Sequence, residues 1–282
     1  MLTLCADLTC KIAELLTDRE KIMLTMICVV INELKHKFIY HKNISIHKIV
    51  TLSYFDNFEN IKIYNQKNKL PKYAKYIYFW AYTHNIPSHV THLTFDGEFD
   101  GPIKGCIPPS VTHLTFGRCF EQSIKDCIPS SVTHLTLGGY FDKSIKDCIP
   151  SSVTHLIFGW RFDRPIKGYI PSSVKYLKFG SFFNQDISGC IPPSVNHLIF
   201  GYNFNKPIDN CIPASVTHLS FGHEFNQTVK NLPPSITHLR FGYDFYHSIN
   251  NVPLSVIEII VSFRYKKNIN YRLSSKIKIE NL

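Results

Sequence analysis

At 282 residues the chain exceeds the usual single globular core, a limit that only a fold growing by length escapes. Its formal net charge of +10 suggests a nucleic-acid partner until it is divided: residues 1–86 carry 12 Lys/Arg against 7 Asp/Glu, residues 87–256 carry 13 against 12, and residues 257–282 carry 6 against 2. The basic excess lies at the two ends and the long middle is nearly neutral, which argues against a groove that tracks phosphates.

In chain order, Leu4, Leu8, Ile12, Leu15 and Leu16 keep helical spacing, and Thr17-Asp18-Arg19-Glu20 reads as a capped helix start. Ile22, Met26, Val30, Leu34 and Phe38 continue at steps of four, so two or three short helices are expected before residue 45. Acidic Asp7 and Glu14 come before any apolar stretch, and the longest apolar run, Ile22 to Ile31, is too short to span a bilayer. Neither a secretory leader nor a membrane span is therefore expected, and the expected location is intracellular and cytoplasmic. From Val50 the text becomes strand-like, and Leu70-Pro71 through Ile77 and Phe79 copies a phrase that recurs later, only 16 residues before the next such proline. This reads as a shortened capping repeat over residues 46–85 that covers the first strand edge.

Residues 86–256 are a repeat. Prolines stand at 87, 108, 129, 150, 171, 192, 213, 233 and 253, and each opens the phrase Ile-Pro-x-Ser-Val-Thr-His-Leu-x-Phe-Gly-x-x-Phe-Asn/Asp-x-x-Ile-x-x-Cys. His92, His113, His134, His155, His197, His218 and His238 mark the steps of 21 residues, with Tyr176 in the one skipped place and a last step of 20. A fixed period in this range means stacked identical units, and the Val-x-x-Leu-x-Phe spacing matches a leucine-rich-repeat core with a short strand in each unit. The predicted fold is α+β: a short N-terminal helical module (residues 1–45), the capping segment, a leucine-rich-repeat-like β-solenoid of about eight 21-residue repeats (86–256), and a C-terminal cap (257–282) with a Lys-bearing edge. The glycine after the strand (Gly117, Gly159, Gly180, Gly201, Gly222, Gly242) is expected to turn the chain with φ > 0. So short a unit leaves room behind the strand only for extended chain or 3₁₀ turns.

Stacking turns repeat positions into columns. Val, Leu, two Phe, Ile and Cys are predicted to point inward, with Cys106, Cys127, Cys148, Cys190 and Cys211 acting as small buried hydrophobes. Alternating disulfides along that column are the alternative reading. Thr, His and a variable third residue point outward. Neutral His and Thr are expected to form a hydrogen-bonded structural ladder, because parallel side chains on one face do not converge on a metal. Like charges side by side should push each imidazole pKa down. The outward pattern breaks at Lys175-Tyr176-Leu177-Lys178, with Lys178 between Ile157 and Ile199 and with Asn196 nearby. These residues, together with Trp160 and Tyr202 after the turn glycines, are the target-binding candidates, the alternative being drift in a decayed repeat. No phosphate loop, metalloprotease motif, nucleophile elbow or Cys-x-x-Cys pair occurs, so no catalytic, cofactor-binding or metal-ligating residue is predicted. The interchange of Asp142 and Asp163 with Asn184, Asn205 and Asn226 points to turn capping and away from acid–base work.

The phrases Phe-Asn-x-x-Ile and Ile-Pro-x-Ser-Val-x-x-Leu resemble the FNIP repeat, a short leucine-rich-repeat relative, over about residues 86–256. In that family, found in amoebae and in the large DNA viruses that infect them, the repeats often follow an F-box. The opening Leu4, Leu8, Ile12, Leu15-Leu16, Asp18, Leu24, Ile27 and Cys28 is similar to a degenerate F-box. It departs from that pattern at Cys5, in place of the usual proline, and at Ile31, in place of the usual tryptophan. The resemblance implies a non-catalytic substrate receptor of a cullin-type ubiquitin ligase, working in the host cytoplasm if the chain is viral. Leu4, Leu8, Ile12, Leu15, Leu16, Leu24 and Ile27 would then bind a Skp-type adaptor and, through it, the cullin. The repeats would hold an unknown target protein. A free-standing protein-binding solenoid is the alternative.

Overall fold

The structure, a computed structural model, describes residues 2–27 and 29–280. It divides into two compact units, Met1–Ala81 with Asn85–Thr94, and Tyr82–His84 with Phe95–Leu282. The division falls inside the strand of the first regular repeat and not at residue 86, and the segment from 257 onward is continuous with the second unit.

The first unit opens with α1 (Leu2–Glu14), α2 (Asp18–Thr25) and α3 (Val29–Asn32), the last prolonged by a 3₁₀ turn over Glu33–His36. Thr17 and Glu20 form the expected capping box: the Thr17 hydroxyl accepts from the Glu20 N–H, and the Thr17 N–H donates back to Glu20 Oε2 at 2.8 Å. What α2 buries is polar. The Lys21 ammonium is 1% exposed, donates to the Ile39 carbonyl at 2.7 Å and lies 3.7 Å from Asp18. Asp18 in turn accepts from the backbone N–H groups of His41 and Lys42. A buried ammonium is tolerated only with such partners, so this lattice fixes α2 on the chain that follows. The periodicity that joined Ile22, Met26, Leu34 and Phe38 spans two elements with opposite environments: Ile22 and Met26 are exposed, while Leu34 and Phe38 are buried. Behind the helices run β1 (Ile44–Ser45), β2 (Asn60–Ile63), β3 (Tyr76–Ala81) and β4 (His92–Phe95), whose last residue belongs to the second unit. The first three pair in parallel with Ile44, Ile61 and Ile77 in one row, over a core of Tyr40, Ile46, Ile49, Phe58 and Ile63.

The second unit is a parallel β-solenoid. Strands β5 (His113–Thr115), β6 (His134–Thr136), β7 (His155–Ile157), β8 (Tyr176–Lys178), β9 (His197–Ile199), β10 (His218–Ser220) and β11 (His238–Arg240) are followed by β12 (Glu258–Ser262), a helical turn α4 (Tyr271–Ser274) and β13 (Ile277–Glu280). Each pairs with its successor in parallel; from β5 to β11 Leu lies opposite Leu and His opposite His, except that Tyr176 takes the His place in β8, and β12 sets Glu258 and Ile259 opposite His238 and Leu239. Thirteen strands are present among the described residues, against eight regular repeats in the sequence. The additional turns keep only parts of the repeat phrase, Leu70-Pro71 before β3 and Pro253-Leu254-Ser255-Val256 before β12, together with apolar alternation.

Three i→i+3 turns close each of the first five regular units, as in Val132 N–H to Pro129, Phe141 N–H to Gly138 and Cys148 N–H to Ile145, all at 3.0–3.1 Å. Inside lie continuous aromatic columns. Phe179 stacks on Phe183 with centroids 4.0 Å apart, Phe200 on Phe204 at 3.9 Å and Phe221 on Phe225 at 3.7 Å, and each ring also faces its equivalents in the adjoining units. Polar columns run beside them. The serine of each Ile-Pro-x-Ser donates to the valine carbonyl one unit back, as Ser152 to Val132 and Ser215 to Val195, both at 2.7 Å. The Asx residues form a ladder in which Asp163 accepts from the N–H of Asn184, Asn184 from Asn205, and Asn205 from Asn226, at 2.9–3.0 Å. An amide oxygen and a carboxylate oxygen serve equally as acceptors, which is why Asp and Asn interchange there.

Two sequence expectations are corrected. The post-strand glycines do not adopt positive φ; the positive-φ glycines are Gly105, Gly168 and Gly189. Gly159, Gly180, Gly201, Gly222 and Gly242 are required by close approach, since a Cβ on each would lie 1.7–1.9 Å from the carbonyl oxygen of the preceding unit's glycine. The left-handed residue instead precedes the cysteine slot, where Asp126, Asp147 and Asn210 have φ of 57–58°, as their side chains tolerate. The cysteine column is only partly core. Cys148 and Cys190 are buried, but Cys106, Cys127 and Cys211 are half-buried, and the thiols of the column turn toward the back-turn carbonyls, as Cys127 Sγ does to Lys125 O at 3.1 Å. Cys10, Cys106, Cys119, Cys127, Cys148, Cys190 and Cys211 are free thiols.

Candidate functional site

The outward strand face of the second unit carries two imidazole triads separated by a phenol. His113, His134 and His155 stack with centroids 4.0 and 4.1 Å apart, and His197, His218 and His238 with centroids 4.2 Å apart. Tyr176 lies between them, 5.6 Å from His155 and 6.1 Å from His197. His92 lies in the first unit against Tyr78, at 4.3 Å. Hydrogen bonds fix the tautomer. Each Thr hydroxyl donates to the carbonyl one unit back, as Thr154 to Thr133 at 3.2 Å, so its oxygen accepts from the Nδ1–H of the next residue, His155, at 2.9 Å. Asn196 Oδ1 takes the same role for His197 at 2.8 Å. Each Nδ1 thus carries a hydrogen, and in the neutral tautomer this selects the Nε2 lone pair is left for solvent or a partner.

Burial first, then the neighbouring His113 and His155, hold the His134 pKa well below the ordinary 6.5, at about 4. Burial also lowers His155, aided by His197 and Lys175, and lowers His218, aided by His197 and His238. Because the folded pKa is depressed, stability is complete above pH 6.5 and is lost as pH falls toward 4, where the unfolded chain takes up protons that the ladder refuses. For half-buried, solvent-screened rings His134 alone should account for about 1–2 kcal/mol of that loss. The melting temperature is therefore expected to drop by about 3–8 °C between pH 7.5 and 5. A His134→Gln variant should show a smaller drop, and an unchanged wild-type melting temperature would refute the effect.

The target-binding candidates fall into two groups. Lys175, Tyr176, Lys178, Ile157, Ile199 and Asn196 share the strand face, with Lys178 in register between Ile157 and Ile199. Both lysines are exposed and the apolar side chains half-buried. Asn196 holds His197 in place. Trp160 and Tyr202 are elsewhere, on the edge after the turn glycines. There Trp160 stacks between Tyr140 (5.5 Å) and Phe182 (6.2 Å), while Tyr202 stacks on His223 (4.4 Å), which faces Tyr243 (4.8 Å). Sequence reading placed Trp160 and Tyr202 on this edge but not the cross-repeat cluster that joins Trp160 to Arg118, Tyr140, Arg161 and Phe182.

In the first unit the adaptor-binding candidates Leu8, Ile12, Leu15 and Ile27 are exposed, and Leu16 and Leu24 are half-buried. Met23 and Met26 are exposed beside them, whereas Ala13 and Thr25 are buried. Leu4's side chain and Cys28 lie outside the described residues. Among the described residues no group of three or more His, Cys, Asp or Glu could hold a metal ion, and no helix is long and apolar enough to cross a membrane.

In-register parallel strands, short units closed by turns and side-chain columns that run from unit to unit define a leucine-rich-repeat-like solenoid, a class whose members are typically non-catalytic interaction scaffolds. The chain belongs to the FNIP Repeat family, which matches residues 81–119, 120–158, 141–182, 183–224 and 225–263. Among solved structures it is similar to CroV588, described as "a novel circular LRR protein structure", at 33% identity and a TM-score of 0.61. That likeness covers 86% of this chain and 42% of CroV588, so the chain spans less than half the length of that protein. No curated protein matches the chain.

Proposed function

We propose that this FNIP-repeat scaffold is the substrate receptor of a cullin-type ubiquitin ligase, with α1 and α2 docking on a Skp-type adaptor and the solenoid holding the target protein. The observation that carries the reading is the apolar face that the N-terminal helices leave uncovered: Leu8 is 61% exposed, Leu15 88%, Met26 79% and Ile27 70%. Helices that merely cap a solenoid bury their apolar residues and show polar ones; here Lys21 and Thr25 are inside and Leu8, Leu15, Met23 and Met26 outside. The F-box-like spacing of the same residues supports the adaptor as the occupant. A free-standing binding solenoid is the second reading, favoured by Cys5 and Ile31 at places where that pattern usually has proline and tryptophan.

The test is binding of the full chain to a purified Skp-type adaptor. Leu15→Asp and Ile27→Asp alter exposed positions and leave folding intact, and each is expected to weaken binding at least tenfold, about 1.4 kcal/mol. A wild-type chain that melts normally and shows no adaptor binding would establish the free-standing reading.

A further inference from the structure

We propose that the edge formed by Arg118, Tyr140, Trp160, Arg161 and Phe182 is a docking site for an extended acidic segment of a partner protein. Five residues from four units meet there. The Arg161 guanidinium lies over the Tyr140 ring, 4.4 Å from its centroid. Arg118 lies 5.2 Å from the same ring and 5.4 Å from that of Trp160, and donates to the Tyr140 hydroxyl at 2.7 Å. The indole is seated on a glycine. Gly139 follows the turn glycine where the units on either side carry Arg118 and Trp160, and a Cβ at that position would stand 2.7 Å from Trp160 Nε1.

The aromatic rings hold two guanidinium charges in place without neutralising them. Arg164, next to them, is paired with Asp142 at 2.8 Å, whereas neither Arg118 nor Arg161 has a carboxylate partner among the described residues. Beside Arg161 and Phe182 opens a cleft of about 500 Å³ lined by three cations, Lys143, Arg161 and Arg164, against two carboxylates, Glu121 and Asp142. A fixed pair of guanidinium forks is a receptor for carboxylates, and the exposed faces of Trp160 and Phe182 offer rigid apolar area to the residues flanking them. Trp, Tyr and Arg are also the residue types that dominate binding energy at protein interfaces. A single-stranded nucleic acid fits less well. The rings here stack on one another, leaving no slot for a base, and the repeats as a whole carry no basic track, with 13 Lys/Arg against 12 Asp/Glu over residues 87–256.

The assignment rests on the chain's being an interaction scaffold and is independent of the adaptor contact, which a different experiment reads at Leu15 and Ile27. The chain has two tryptophans, so Trp80→Phe leaves Trp160 as the only indole and as a reporter within the site. The full-length Trp80→Phe protein would be titrated with a short peptide alternating glutamate and leucine, with the same peptide carrying glutamine, and with a uridine-rich RNA oligonucleotide. The expected result is a saturable, salt-sensitive change in Trp160 emission with the glutamate peptide alone. Arg161→Gln, at an exposed position, should weaken binding about tenfold, and Arg118→Gln with Arg161→Gln should abolish it. No saturable response to the glutamate peptide, an equal response to the glutamine peptide, or tighter binding of the RNA would each overturn the proposal.

Discussion

Gly201→Ala is expected to destabilise the solenoid by about 3–5 kcal/mol, the range of a severe core defect. The added Cβ would lie 1.9 Å from the Gly180 carbonyl oxygen, 2.4 Å from its carbon and 2.9 Å from the Ser181 Cα. All three atoms are backbone, so no rotamer change relieves the clash, and two units must part by more than an ångström. The bonds that join those two units, from Phe179 N–H to Ile199 and from Asn203 N–H to Ser181, both 2.8 Å, would stretch with them. In a stack stabilised unit by unit, such a lesion also uncouples the two halves, so the urea transition should broaden or split. Gly189→Ala is the control. It puts a side chain at φ +66° but meets nothing within 4 Å, and should cost only about 1–2 kcal/mol. Gly189→Asn should cost less still, since Asn210 occupies the same slot. Equal losses for Gly201→Ala and Gly189→Ala would show that close approach is not what selects the post-strand glycine.

Phe183→Ala is the second large effect, at about 3–5 kcal/mol. Phe183 is fully buried, stacks on Phe179 within its own unit at 4.0 Å, and faces Phe162 and Phe204 at 6.3 and 6.2 Å. Removing it opens a hole between two aromatic columns, and the surrounding backbone cannot collapse because the Ser and Asx ladders hold the inter-unit spacing. Phe183→Leu, which keeps much of the volume, should recover more than half of the loss. Thermal melts of the three proteins settle the point, and a Phe183→Ala protein within about 1 kcal/mol of wild type would mean that the columns are not the core of stability.

The solenoid was legible because repetition averages out local ambiguity: one Val-Thr-His-Leu phrase is weak, whereas eight in register specify inward and outward columns. What repetition concealed was cause. The glycine column is equally invariant whether φ or crowding demands it, and only the 1.7–1.9 Å approach of the Gly carbonyls separates the two. The left-handed slot could have been read, since Gly105, Asp126, Asp147, Gly168, Gly189 and Asn210 are all residues that tolerate positive φ. The edge cluster could not, because it joins two adjacent repeat columns, Arg118 and Trp160 in one and Tyr140, Arg161 and Phe182 in the next, which meet only through side-chain direction. At the N-terminus, spacing revealed an apolar stripe on α1 but not which side of the helix is covered: Ala13 is buried while Leu8, Ile12 and Leu15 face out.

The left-handed residue behind the strands has a consequence for how the molecule can change. In the two 20-residue steps the cysteine slot is missing, and Asn231 and Asn251 do not take the positive φ of their counterparts. Yet Ser235 still reaches Val216 at 2.7 Å and His238 still faces His218. The rear turn therefore acts as an expansion joint. Residues can be gained or lost there without moving the front of the molecule, so length drift and recognition evolve on separate sides of the same chain. A label or affinity handle grafted at that rear position would leave the front undisturbed.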